Sequence, residues 1–172
     1  MILVTGFGPF LEVRDNPSGR LARQIDGRRV RGETVLGELL PVSYVRSTEH
    51  TVALARKHRP RLVLGVGVAS SRSQPWVESR AVAASELTPD VDGDRGLSIL
   101  GGVSELEATL AVGSLAAALG CGVSRDAGRY VCNGWLYRVT QDLPDLPVGF
   151  LHVPTSGLSP ALLAKGLAAL LA

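Results

Sequence analysis

The chain has 172 residues, 45% of them hydrophobic, which is enough to bury the core of one domain. The net charge is +2, carried by scattered arginines with lysine only at Lys57 and Lys165, so there is no basic stripe for nucleic acid. No apolar run reaches membrane-spanning length and no basic segment precedes the first strand, so the chain reads as cytoplasmic, unattached to membranes, with Cys121 and Cys132 as free thiols.

The elements follow in chain order. Ile2–Thr5 predicts a buried strand. Asn16 caps the helix that Pro17 opens, because a proline at the first helical position loses no hydrogen bond there, and Gly27 ends it. Thr34–Leu40 predicts a second strand, stopped by Pro41. Ser47–His58 has helical periodicity and ends before Pro60. "RLVLGV" (Arg61–Val66) is the continuous apolar run that a parallel sheet buries on both faces. From Val68 to about Gly102 the pattern is polar and turn-rich, a length of loop that usually carries function. Ser104 and Glu107 form a capping box, which predicts a helix running to about Gly120. Gly122–Arg125 predicts a short strand, Cys132–Gln141 a helix and "VGFLHV" a buried strand. Ser159 caps a terminal helix. Strands alternating with helices predict a single domain over residues 1–172: a three-layer α/β/α sandwich with a largely parallel central sheet.

Several stretches resemble chemical sites. The opening Gly6-Phe7-Gly8-Pro9-Phe10-Leu11 lacks the last glycine of a dinucleotide fingerprint, and Pro9 removes a backbone donor that a phosphate would need. It reads either as a tight turn with two core phenylalanines or as an apolar pocket wall at the carboxyl end of a strand. The run "PDVDGDRG" departs from a calcium loop at Arg95 and Gly101 and reads as a solvated turn. His50 and His58 are too far apart on their helix to share a metal, so no metal is expected.

Cys132 carries most information. It stands where a helix begins, and the unpaired N–H groups there would lower its thiol pKa, although burial as a structural cysteine is the common alternative. Cys121 fits that structural fate. A thiolate nucleophile needs a base and a group to orient it. His152, at the end of a buried strand, and Glu78, in the irregular segment, are the candidates, each of a type that is more often structural or superficial when it stands alone.

The segments "TGFGPF…NPS", "VESRA", "PDVDG", "AGRYVCN" and "GFLHVP" stand in the order found in the pyroglutamyl peptidase I family of cysteine peptidases, which the chain resembles from Met1 to Pro154. The resemblance implies a cytosolic, cofactor-free peptidase that removes an N-terminal pyroglutamyl residue from small peptides, with Glu78, Cys132 and His152 as its triad. Cys132 would attack the acyl carbon, His152 would move the proton, and Glu78 would hold the imidazole. Phe7 and Phe10 would wall the lactam ring, Asn16 would shape the site, and the Tyr130–Val131 backbone would meet the polar edges of the ring. The family also implies a dimer or tetramer. This chain has Leu11-Glu12 where the family usually has two glycines, Val68 where it has glutamine, and Ala83 where it has asparagine. Two other readings stand beside the first: a cysteine amidase acting on another small amide or lactam, supported by Val68, and a non-catalytic relative that binds pyroglutamyl ligands.

Overall fold

A computed structural model describes residues 1–10 and 13–171. Nine strands and five helices are found among them. In chain order they are β1 (Ile2–Phe7), α1 (Pro17–Ile25), β2 (Arg29–Val30), β3 (Glu33–Leu40), α2 (Tyr44–His58), β4 (Val63–Val68) and β5 (Trp76–Glu78). They continue with β6 (Arg80–Val82), β7 (Glu105–Glu107), α3 (Val112–Leu119), β8 (Gly122–Ser124), α4 (Val131–Asp142), β9 (Val148–Val153) and α5 (Pro160–Ala169).

Seven strands form one sheet in the order β2-β3-β1-β4-β9-β5-β8. The central four, β3, β1, β4 and β9, run parallel, and β5 enters antiparallel to β9. Side chains alternate across this sheet, as strand geometry requires. Ile2, Val4, Leu64, Val66, Val77, Leu151 and Val153 pack on one face against Leu21 and Ile25 of α1, Leu115 of α3 and Leu163 of α5. Leu3, Val63, Val148 and Phe150 pack on the other against Tyr44 and Val52 of α2 and Trp135 and Leu136 of α4. The expected α/β/α sandwich with a largely parallel sheet is present.

The local start signals work where nothing competes with them. Asn16 Oδ1 accepts from the Ser18 N–H at 3.1 Å, and Ser159 Oγ accepts from the Leu162 N–H at 3.1 Å. Helix α2 begins at Tyr44, earlier than the predicted Ser47, because Ser43 Oγ takes the Arg46 N–H.

The capping box at Ser104 fails. Glu105–Glu107 is a strand paired antiparallel with β6, and α3 begins only at Val112, after Ala111, which offers no side-chain cap. Leu106 packs into the second core cluster while Arg80 and Arg125 hold Glu105 and Glu107, so hairpin pairing overrides the cap. The irregular segment also contains two strands, β5 and β6, that its sequence does not announce.

Candidate active site

Because β1, β4 and β9 are parallel, their carboxyl ends gather on one edge of the sheet, and the start of α4 meets them there. Cys132 lies in the first turn of α4, whose N-cap, Tyr130, gives no side-chain cap. Helix α4 can come this close because β4 presents glycine on the facing side. A Cβ on Gly67 would fall 2.7 Å from Cys132 Sγ, and one on Gly65 would fall 2.5 Å from the Trp135 ring. Trp135 is one helical turn beyond Cys132 and donates its Nε1–H to Thr51 Oγ1 at 3.0 Å, fixing the helix from below.

Gly67 is the register partner of His152 on β9, so the thiol sits over the neighbour of the imidazole. His152 Nδ1 lies 2.8 Å from Glu78 Oε1, and the ring is braced edge-on by Phe150 at 5.0 Å. Both Glu78 and His152 are buried, Glu78 completely. A carboxylate can only accept, so Nδ1 is the donor and Nε2 is left as the basic nitrogen. Arg72 reaches the same Glu78 oxygen with Nη1 at 2.8 Å. Glu78 Oε2 has no partner.

The thiol does not behave as its helix position suggests. Burial, reinforced by the negative charge of Glu78, pushes the Cys132 pKa up to about 12, and its own backbone N–H opposes this only in part. The resting side chain is therefore a neutral thiol, in contrast to the lowered pKa expected from the helix N-terminus.

Beside the thiol is a small apolar pocket, lined by Phe7, Phe10, Asn16, Val42, Val68, Tyr130, Val131 and Cys132. All five residues expected to contact substrate border it. Phe10 and Tyr130 face each other at 6.2 Å, and Tyr44 meets Tyr130 edge-on at 5.8 Å. Burial raises the Tyr130 pKa to about 12, and its hydroxyl donates to the Pro89 carbonyl at 3.1 Å. Asn16 turns its amide inward on the chain: Nδ2 donates to the Gly8 carbonyl, and Oδ1 accepts from both the N–H and the hydroxyl of Ser18. It thus holds the turn that carries the phenylalanines.

The acidic run is not a solvated turn throughout. Asp90 is buried; Oδ2 accepts from the Tyr44 N–H at 2.7 Å, and Oδ1 takes the N–H groups of Asp92 and Asp94. Its negative charge at the start of α2 fastens this loop, and with it Pro89, beside Tyr130. Asn133, next to the thiol, holds Val82 and Ala84 through three hydrogen bonds. Of the departures noted above, Val68 lines the pocket and Ala83 packs in the second core cluster, whereas Leu11 and Glu12 lie outside the described residues.

Sequence reading missed Gly67, Arg72, Asp90 and Asn133. The period-two glycines of "GVGV" were a signal for Gly67. Arg72 had none, since nothing in "SSRSQPWVE" indicates a contact with Glu78.

Fold and geometry define a class: an α/β sandwich that brings a thiol, an imidazole and a buried carboxylate to the carboxyl ends of its parallel strands. The pyroglutamyl peptidase family model matches residues 1–159. The pyrrolidone-carboxylate peptidase of Coprothermobacter proteolyticus is 33% identical over 166 residues, covering 89% of this chain and 80% of its own. The crystal structure of pyroglutamyl peptidase I from Bacillus amyloliquefaciens superimposes with a TM-score of 0.86 at 25% identity, covering 98% of this chain and 91% of its own. The pyrrolidone carboxyl peptidase of Thermococcus litoralis shares the fold with a TM-score of 0.85 at 24% identity, covering 99% and 90%. The chain belongs to the pyroglutamyl peptidase family. Among the described residues no helix is long and apolar enough to cross a membrane, and no group of three or more His, Cys, Asp or Glu is placed to hold a metal ion.

Proposed function

We infer that the chain is a cysteine exopeptidase that hydrolyses the amide bond after an N-terminal pyroglutamyl residue of small peptides, with Cys132, His152 and Glu78 as its triad. The observation that carries this reading is the 2.8 Å contact of His152 Nδ1 with the buried Glu78 carboxylate, on the strand beside the one that Cys132 Sγ covers.

His152 Nε2 takes the Cys132 proton as Sγ attacks the acyl carbon, so the thiolate forms only as it reacts. The imidazolium is stabilised by Glu78 and returns the proton to the leaving amine. N–H groups at the start of α4, uncapped by Tyr130, supply donors to the developing oxyanion. Water, activated by the same imidazole, then hydrolyses the thioester and frees pyroglutamate.

The walls formed by Phe7, Phe10, Val42, Val68, Tyr130 and Val131 suit a small uncharged ring. A free α-ammonium group there would be buried without a partner, a cost of several kcal/mol. The same reading makes the protein a cytoplasmic enzyme with one domain over residues 1–172 and no cofactor, working as a dimer or tetramer.

Release of a fluorogenic amine from a pyroglutamyl amide, assayed with wild type and with Cys132→Ser, tests the proposal. Cleavage that disappears in the variant supports it. A folded, reduced wild type that leaves this amide intact but cleaves another small amide or lactam would favour the second substrate reading, to which Val68 in the pocket wall belongs. Binding of pyroglutamate without cleavage of any amide would make the chain a binding protein.

A further inference from the structure

Glu78 is fully buried and carries both of its hydrogen bonds on one oxygen. A carboxylate held by a single donor can rotate about its last bond and exchange its two oxygens, and either orientation would leave the imidazole differently placed. Here the second donor is Arg72, whose guanidinium is itself clamped from three further sides. Nη2 donates to Ser124 Oγ at 3.2 Å and to the Asp126 carbonyl at 3.0 Å, and Cζ lies 5.6 Å from the centre of the Trp76 ring.

These contacts follow from the strand register. Trp76 and Glu78 share one face of β5, Trp76 is the register partner of His152, and Glu78 is the partner of Ser124 on β8. The planar fork of an arginine can span Glu78, Ser124 and Asp126 at once while stacking on the ring. A lysine ammonium cannot.

We propose that Arg72 is the positioning residue of this site: its guanidinium pins the Glu78 carboxylate so that Oε1 faces His152 Nδ1, and it supplies the countercharge that the buried carboxylate requires. The proposal rests on the cysteine peptidase reading above. Arg72 does not touch substrate in this role. It acts through Glu78 on the imidazole, and so on the proton transfer that activates Cys132. The charged and titratable groups around Glu78 are Arg72 from the loop after β4, His152 from β9 and Cys132 from α4, while the Asp126 side chain is taken up by Arg129.

Arg72→Met, Arg72→Lys, Glu78→Gln and the double variant Arg72→Met/Glu78→Gln test it, each normalised to titratable Cys132 thiol in folded protein. Arg72→Met is expected to lower kcat by about 10²-fold with KM within about threefold, the range of a misplaced catalytic group. Arg72→Lys is expected to recover part of the loss. The double variant should be no slower than Glu78→Gln, because Arg72 has nothing to position once the carboxylate is gone.

A loss carried by KM, additive effects in the double variant, or kcat within threefold of wild type in Arg72→Met would each overturn the proposal. A readout independent of turnover separates it from the peptidase reading: the downfield proton resonance of His152 Nδ1–H, observed on the intact protein. It should be present in wild type, lost or shifted in Glu78→Gln and Arg72→Met, and unaffected by Cys132→Ser. A resonance unchanged in Arg72→Met would sink the positioning role even if the pyroglutamyl amide proves not to be the substrate.

Discussion

Replacing Gly67 with alanine adds one methyl group at the point where β4 and α4 approach most closely. The new Cβ would stand 2.7 Å from Cys132 Sγ and 2.8 Å from the nearest Phe150 ring atom. Ordinary non-bonded contacts between such atoms lie near 3.5–4.0 Å, so one of the neighbours must retreat by about 1 Å. Phe150 has little freedom, since it is fully buried between Phe7 and Trp135. The thiol at the partly exposed start of α4 is the group that moves. A displacement of about 1 Å from the reacting geometry costs on the order of 10²-fold in rate, or about 2.7 kcal/mol on the barrier. Overpacking at the same position costs about 1–3 kcal/mol of stability. The two effects separate in one experiment that measures kcat/KM per titratable thiol beside the urea midpoint. Gly65→Ala serves as the control, because its Cβ meets Trp135 and Phe150 instead of the sulfur. Gly67→Ala should lose about 10²-fold in kcat/KM per thiol and Gly65→Ala clearly less, with both losing stability. A Gly67→Ala enzyme within threefold of wild type would refute the claim that this glycine makes room for the Cys132 thiol in its proposed role.

Three further predictions concern the resting thiol and the loop that carries the phenylalanines. With its pKa raised to about 12 against 9.0 for an unperturbed thiol, Cys132 should contribute no thiolate absorbance at neutral pH in a wild-type minus Cys132→Ser difference spectrum. The unfolded chain releases this proton first, so the stability the thiol contributes is present below about pH 9 and lost as the pH rises towards 12. The urea midpoint of wild type should accordingly fall more than that of Cys132→Ser on going from about pH 8 to about pH 10. Asn16→Ala removes the cap of α1 and the donor to Gly8 together. It should cost about 0.5–2 kcal/mol, read as a lower melting temperature, and raise KM more than it lowers kcat as the Phe7–Phe10 turn loosens.

Much of the fold was legible because its signals are local. Asn16-Pro17 and Ser159-Pro160 start helices through bonds that span two or three residues, and "VGFLHV" is apolar because both faces of β9 are buried. The residues of the candidate site were also legible as candidates: Cys132 at a helix start, His152 at a strand end, Phe7 at the end of β1 and Phe10 beyond it. The capping box at Ser104 misled because a local preference worth about 1 kcal/mol competes with a hairpin, a core leucine and two ion pairs, none of which a short window of sequence can see. Only the tertiary structure decided how the candidate site is arranged. Glu78 meets His152 across 74 residues because β5 enters the sheet antiparallel to β9, and Arg72 meets Glu78 because β8 pairs beside it. The helix start alone favours a thiolate at Cys132. Burial over Gly67 and the charge of Glu78 reverse that preference, since desolvation depends on everything that packs around the sulfur and not on its neighbours in the chain.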